Sequence, residues 1–338
     1  MELSDRAKGF ALELLCQFES HISAQSIWKS IKCESRFGYC PSDKPFSALH
    51  CISYFGIPEV TNTLIEMNRW SVNERDGLGL TPLIWAAGYG REEVVKLLLR
   101  IKHIQPDQQD QRYGRTALSW ASGNGHEGVV RLFLGQQFVN PGRIGRRWGK
   151  AARAVDRIFG ERYINPDRSS ESGRTPLSWA AGSGHEGIVK LLLGRKDVNP
   201  DSSNKYGGTP LSLAAGNGHE GIVKLLLGRK DVNPDSSNKS GRTPLSWAAG
   251  NGHEGIVNLL LGREDVNPDT PDTTYGQTSL SWAAENGHEG IVKLLLGRKD
   301  VNPNRRSGLG QTPLTLAAKN GHDRVVGLLQ AQLSRGIH

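Results

Sequence analysis

Six histidines in this chain, His126, His185, His219, His253, His288 and His322, are each followed directly by a carboxylic acid. An imidazole beside a carboxylate is the pairing used for proton transfer and for holding zinc. Gly216-x-Gly218-x-x-Gly221 has the spacing of a dinucleotide-binding loop, and the same spacing recurs from Gly123, Gly182 and Gly250. Gly145 to Lys150, GRRWGK, imitates a phosphate loop. Cys33, Cys40, His50 and Cys51 supply four potential zinc ligands, and Asn238-Lys239-Ser240 is a glycosylation sequon.

The elements that would have to position these groups argue against each chemistry. A dinucleotide loop works where a strand enters and a helix leaves, so that free N–H groups meet a pyrophosphate. Here the residues before Gly216, from Thr209-Pro210-Leu211 onward, are helical in pattern. In GRRWGK the first glycine is one residue too close, and Ala151 stands where Ser or Thr would meet magnesium. Stacked helices lie about 8–10 Å apart, whereas two zinc ligands each lie about 2 Å from one metal. The histidines are therefore read as helix-start residues, and the cysteines fit no compact ligand pattern. Without a secretory signal the sequon is read as an unmodified hairpin tip. We expect no catalytic residue, cofactor or metal.

The helical unit is clearest from Gly207 to Gly228. Thr209 offers an oxygen cap and Pro210 a first helical residue whose missing N–H costs nothing. Leu211, Ala214 and Ala215 form a narrow apolar stripe, and Gly216-Asn217-Gly218 breaks the helix. A second helix follows, with Glu220 near its positive end and Lys224 four residues on. Its Ile222, Val223, Leu225, Leu226 and Leu227 need cover from neighbours. The cap residue recurs at Ser47, Thr81, Thr116, Thr175, Thr209, Thr243, Thr278 and Thr312, in steps of 34, 35, 59, 34, 34, 35 and 34. Such a period indicates a solenoid of units that touch only their neighbours. The step of 59 hides a truncated unit at 141–167, where VDRIFGERYINPD aligns with VKLLLGRKDVNPD 34 residues later.

Among the 338 residues, 42 basic side chains face 34 acidic ones, giving a net charge of +8. That balance permits an acidic partner without making a polybasic chain. All four cysteines lie in the first 51 residues, so no disulfide framework supports the repeats. No apolar window is long enough to span a membrane, and the N-terminus has no signal-peptide pattern. The expectation is an intracellular, cytoplasmic monomer. Residues 1–43 lack the repeat but carry apolar residues at helical spacing, from Ala7 to Ile22, and are read as a helical cap or linker. Residues 44–333 form the repeat domain, about eight units besides the truncated one, and 334–338 a polar tail.

Thr-Pro-Leu-x-x-Ala-Ala, then Gly-His, then Ile-Val-x-Leu-Leu-Leu, then Asp-Val-Asn, as at Thr243 to Asn267, resembles the ankyrin-repeat pattern over residues 44–330. The resemblance implies an all-α ankyrin-repeat solenoid of antiparallel helix pairs with β-hairpin-like loops. The Ser246-Trp247 variant and Asn251 to Gly255 are similar to arrays of fungal proteins in which such repeats follow a NACHT-type NTPase module. Ser47 to Gly56 resembles the first repeat after that module. One departure concerns the family's histidine after Thr-Pro-Leu. Only His50 retains it, and Ser or Thr mostly replaces it.

The resemblance also implies a protein partner, met by hairpin tips and by the concave face of the first helices. Before the turn glycines stand Leu78, Tyr113, Ser172, Tyr206, Ser240, Tyr275 and Leu309, and Tyr89 lies on the concave helices. Leu78, Tyr89, Tyr113, Tyr206, Tyr275 and Leu309 are the candidate contacts, because large side chains concentrate interface energy. A competing anion or nucleic-acid adaptor would use the stripe Arg195-Lys196, Arg229-Lys230 and Arg298-Lys299. It would add Arg143, Arg146, Arg147, Lys150, Arg153 and Arg157 of the segment 141–162. No nucleic-acid motif accompanies them, so the protein partner is preferred.

Overall fold

The computed structural model describes residues 47–67, 71–135 and 164–335. These residues hold sixteen α-helices and, outside them, one isolated antiparallel bridge between Gln109 and Thr116. The all-α repeat expectation is met. The chain divides into two compact units, Met1–Pro176 and Leu177–His338. The N-terminal helix expected within 1–43 and residues 141–163 of the truncated unit lie outside the described residues.

In the first unit the helices come in pairs: α1 (Ala48–Phe55) with α2 (Pro58–Glu66), α3 (Pro82–Gly88) with α4 (Glu92–Arg100), and α5 (Ala117–Asn124) with α6 (Glu127–Gly135). First helices stack on first helices, α1 on α3 on α5, and second helices on second helices, α2 on α4 on α6. The second unit repeats the arrangement. Its first helices are α7 (Pro176–Ser183), α9 (Pro210–Gly216), α11 (Pro244–Gly250), α13 (Ser279–Glu285) and α15 (Pro313–Lys319). Its second helices are α8 (Glu186–Leu193), α10 (Glu220–Leu227), α12 (Glu254–Leu261), α14 (Glu289–Leu296) and α16 (Asp323–Arg335).

Helices of seven to nine residues are too short to be stable alone. Local caps start them. Thr81, Thr116, Thr209, Thr243, Thr278 and Thr312 each accept, through Oγ1, the backbone N–H three residues on, at 3.2–3.3 Å. Between the two layers the alanine pairs Ala86/Ala87, Ala214/Ala215, Ala248/Ala249 and Ala283/Ala284 are fully buried, which lets neighbouring helices approach closely. The second helices bury Ile222, Val223 and Leu226 and their equivalents, whereas Leu225 and Leu227 are only half-covered. On the outer face Glu220 and Lys224 form an exposed ion pair at 2.7 Å. At the C-terminal end α16 runs to Arg335, so the polar residues Gln330, Gln332 and Ser334 belong to a helix that continues past 333.

Leu226 is wholly enclosed, so Leu226→Ala is expected to lower unfolding free energy by about 2–5 kcal/mol. Thr243→Ala, which removes one cap, is expected to cost about 1 kcal/mol. Urea unfolding of the two variants checks both, and equal losses would contradict the division between core and cap.

Candidate interaction surface

Five hairpins are each built on one short polar side chain, Asp76, Asp110, Asn204, Asn238 or Asp272. Asp110 Oδ1 accepts from the N–H groups of Arg112 and Tyr113 at 2.9 and 2.6 Å, and Oδ2 accepts from Arg115 N–H at 3.0 Å. The same Oδ2 accepts the Trp120 indole N–H at 3.0 Å, tying the turn to α5. Asp76 ties Trp85 in the same way at 2.8 Å, and Asp272 ties Trp282 at 3.1 Å. Asn204 and Asn238 occupy the position in other repeats, where the side-chain oxygen still accepts two backbone N–H groups.

Adjacent tips are joined by their backbones. In the first unit Tyr113 C=O accepts from Glu171 N–H at 2.8 Å. In the second, Tyr206 accepts from Lys239 at 2.9 Å, Ser240 from Thr273 at 2.9 Å, and Tyr275 from Gly308 at 2.6 Å. The turn glycine follows from this closeness. Gly207 has φ +81°, and a Cβ there would lie 2.8 Å from Lys239 N.

This frame presents the expected side chains unequally. Tyr206 is 71% exposed and Leu309 76%, while Tyr275 at 50% and Tyr113 at 39% lean edge-on against Trp282 and Trp120, with centroids 6.2 and 6.0 Å apart. Leu78 was expected at an exposed tip but is 4% exposed. Asp76 draws the N–H groups of Leu78 and Leu80 to one oxygen, at 2.8 and 2.9 Å, and both leucines are buried on either side of Gly79. Water is thereby removed from an apolar pair.

Tyr89 is half-buried in an aromatic cluster, stacked on Trp85 at 5.8 Å and edge-on to Tyr54 at 4.8 Å, with Phe55 exposed beside Tyr54. Tyr54 and Phe55 were not singled out from the sequence. Their signal is positional: 34 residues before Gly88 and Tyr89, they hold the same places in the preceding repeat.

The histidine row has a structural task. Nε2 of His126 bonds the Gly88 carbonyl at 2.9 Å, and Nε2 of His219, His253, His288 and His322 bonds the carbonyls of Gly182, Gly216, Gly250 and Glu285 at 3.0–3.2 Å. A carbonyl only accepts, so Nε2 carries the hydrogen. Asn124, Asn217, Asn251 and Asn320 donate to the Gly88, Gly182, Gly216 and Glu285 carbonyls at 2.6–2.9 Å. Among the described residues no three His, Cys, Asp or Glu side chains converge as a metal site would need. Around Gly216 to Gly221 helix α9 enters and helix α10 leaves, without the strand a dinucleotide loop requires.

A family model for ankyrin repeats, in three copies, matches residues 38–143, 149–238, 178–272, 229–307 and 267–336. The chain belongs to the ankyrin-repeat family. No curated protein matches it.

The departure from the family's Thr-Pro-Leu-His is visible in the ankyrin repeats themselves. His50 Nδ1 meets Ser47 Oγ at 2.7 Å, and its Nε2 reaches the Leu80 carbonyl of the next repeat at 3.1 Å. Ser212, Ser246 and Thr315 instead return their hydroxyls to the carbonyls of their own caps, at 2.9–3.0 Å. The link to a neighbour then falls to the later histidine. Where that is absent, Arg91 substitutes, donating to the Tyr54 carbonyl at 2.9 Å.

The expected basic stripe is partly neutralised. Arg195, Arg229, Arg263 and Arg298 fork onto Asp197, Asp231, Asp265 and Asp300, with nitrogen–oxygen distances of 2.7–3.0 Å. Three of them also donate to the preceding repeat, Arg229 to Leu193, Arg263 to Leu227 and Arg298 to Leu261. Hydrogen bonds from these arginines hold the Asp231, Asp265 and Asp300 carboxyls below their ordinary range. The patch Arg143, Arg146, Arg147, Lys150, Arg153 and Arg157 lies outside the described residues.

Burial lowers the His50 pKa to about 4. The unfolded imidazole, with an ordinary pKa near 6.5, binds a proton that the folded one refuses, so stability falls as pH drops from about 6.5 to 4. The expected loss is about 3 kcal/mol. Asp107, pushed up to about 7 by burial, acts in the opposite sense, since folding then favours its protonated form. Comparing urea unfolding of the intact chain and His50→Gln at each pH cancels the Asp107 effect. The stability difference should shrink by that amount over this range, and a constant difference would contradict it.

Proposed function

We propose that this chain is a non-catalytic scaffold that binds protein partners through its hairpin tips and first-helix face. The supporting observation is the tip architecture, in which exposed Tyr206 and Leu309, and partly exposed Tyr113 and Tyr275, stand on turns braced by side chains and by neighbouring tips. A braced turn loses little backbone freedom on binding, and tyrosine brings large contact area with a polar end. A standard interface of about 1,200–2,000 Å² needs several consecutive repeats. In this reading residues 44–333 act as one repeat domain, monomeric and intracellular. Its place is the recognition part of a fungal NACHT-type signalling system, on the strength of Ser47 to Gly56 and the Ser-Trp repeats. Among the described residues no helix is long and apolar enough to cross a membrane.

The test is a pull-down from a fungal lysate at low and moderate salt, with nuclease, comparing the intact chain with Tyr206→Ala/Leu309→Ala. Neither side chain supports the fold, so the variant should unfold at the same urea concentration. Discrete proteins held by the intact chain at moderate salt and lost by the variant are the expected result. Capture indifferent to the two substitutions but abolished by salt or nuclease would overturn it in favour of the anion or nucleic-acid adaptor.

A further inference from the structure

Arg242 closes the hairpin before α11, and its side chain lies along that helix. The guanidinium carbon sits 3.7 Å from the Trp247 ring centroid and 4.1 Å from that of Trp282, on successive first helices of the second unit. Both indoles are half-exposed. Nη2 donates to the Ser246 carbonyl at 3.0 Å, and Gly250 leaves room for it, since a Cβ there would lie 2.9 Å away. Nε is enclosed without a partner.

No ion pair answers the charge directly. Four other arginines of this unit fork onto their own aspartates, but Arg242 forms no ion pair among the described residues. The carboxylate acting on it is Asp272, whose oxygens already receive three backbone N–H groups and the Trp282 indole. In the next repeat the corresponding residue is Gln277, which is neutral and bonds Glu285 at 2.8 Å. Burial lowers the Arg242 pKa, so its cation stands at a cost that an incoming anion would relieve.

We propose that Arg242, held between Trp247 and Trp282, receives an aspartate or glutamate side chain of an acidic peptide segment lying on the first-helix face of the second unit. This rests on the scaffold reading above and names the chemistry of the partner. With Nε enclosed and Nη2 donated to the Ser246 carbonyl, Nη1 is the nitrogen left for a partner, and a carboxylate oxygen meets it in a charge-assisted hydrogen bond. One cation with Asp272 close by suits a monoanion better than a phosphate dianion.

Poly-L-glutamate is a suitable probe, titrated into the full chain carrying ¹⁵N-labelled tryptophan, with the indole resonances assigned through Trp247→Phe and Trp282→Phe. We expect the Trp247 and Trp282 signals to move and the Trp85 signal to stay. Arg242→Gln copies the residue natural to the next repeat and should fold, which its unfolding midpoint verifies. It should weaken binding about tenfold or more, whereas Lys205→Gln, removing one exposed tip cation, should change it less than twofold. Equal weakening by both variants would reduce the effect to diffuse charge and overturn the proposal. So would shifts confined to other tryptophans, or equal shifts with inorganic phosphate. A lysate partner still captured by Arg242→Gln would leave the scaffold reading intact and remove this clamp. Failure to capture any protein would remove the scaffold reading, and the glutamate titration would then decide the clamp alone.

Discussion

The carbonyls near the ends of five first helices, at Gly88, Gly182, Gly216, Gly250 and Glu285, are met by the next repeat, and the structure depends on that supply. Helix ends leave four such groups unsatisfied, and a helix of seven or eight residues has few internal bonds to set against them. An imidazole and an amide from the following repeat converge on the Gly88, Gly182, Gly216 and Glu285 carbonyls. Each bond contributes about 0.5–1.5 kcal/mol. Stability thus becomes a property of neighbours within each unit.

This constraint also gives a structural task to residues whose types suggest chemistry. Each imidazole for which a bond is described directs its Nε2–H at a backbone carbonyl of another repeat, and successive rings serve successive repeats. The glycine before each histidine belongs to the same device. Gly218 has φ +81°, and a Cβ there would lie 2.7 Å from the His253 ring, so the repeating Gly-x-Gly spacing records ring packing on a left-handed turn.

Helix pairs, caps and alanine stripes were legible because their causes lie within a few residues of one another and recur at one period. The histidine task was not, because its partner is a carbonyl 37 or 38 residues away, which no residue type marks. The fork of Arg229 onto Asp231 was within reach of the sequence, yet charges two residues apart in a loop do not announce a shared geometry. Leu78 misled for a related reason. Position before the turn glycine sets where the backbone goes, whereas the neighbouring Leu80 and the Asp76 bonds decide that this side chain turns inward. Tyr206 and Leu309 are exposed as their positions suggested.

The proposed binding surface rests on the same coupling, because backbone hydrogen bonds between adjacent tips fix where their side chains emerge. Amide hydrogen exchange at the tips tests this most directly. We predict that the N–H groups of Lys239, Thr273 and Gly308, although in surface turns, exchange at least about tenfold more slowly than unstructured amides, because each is donated to the preceding tip. Exchange of all three at the unstructured rate would contradict the account: the tips would be independent loops, and their exposed side chains would not be held in place for a partner.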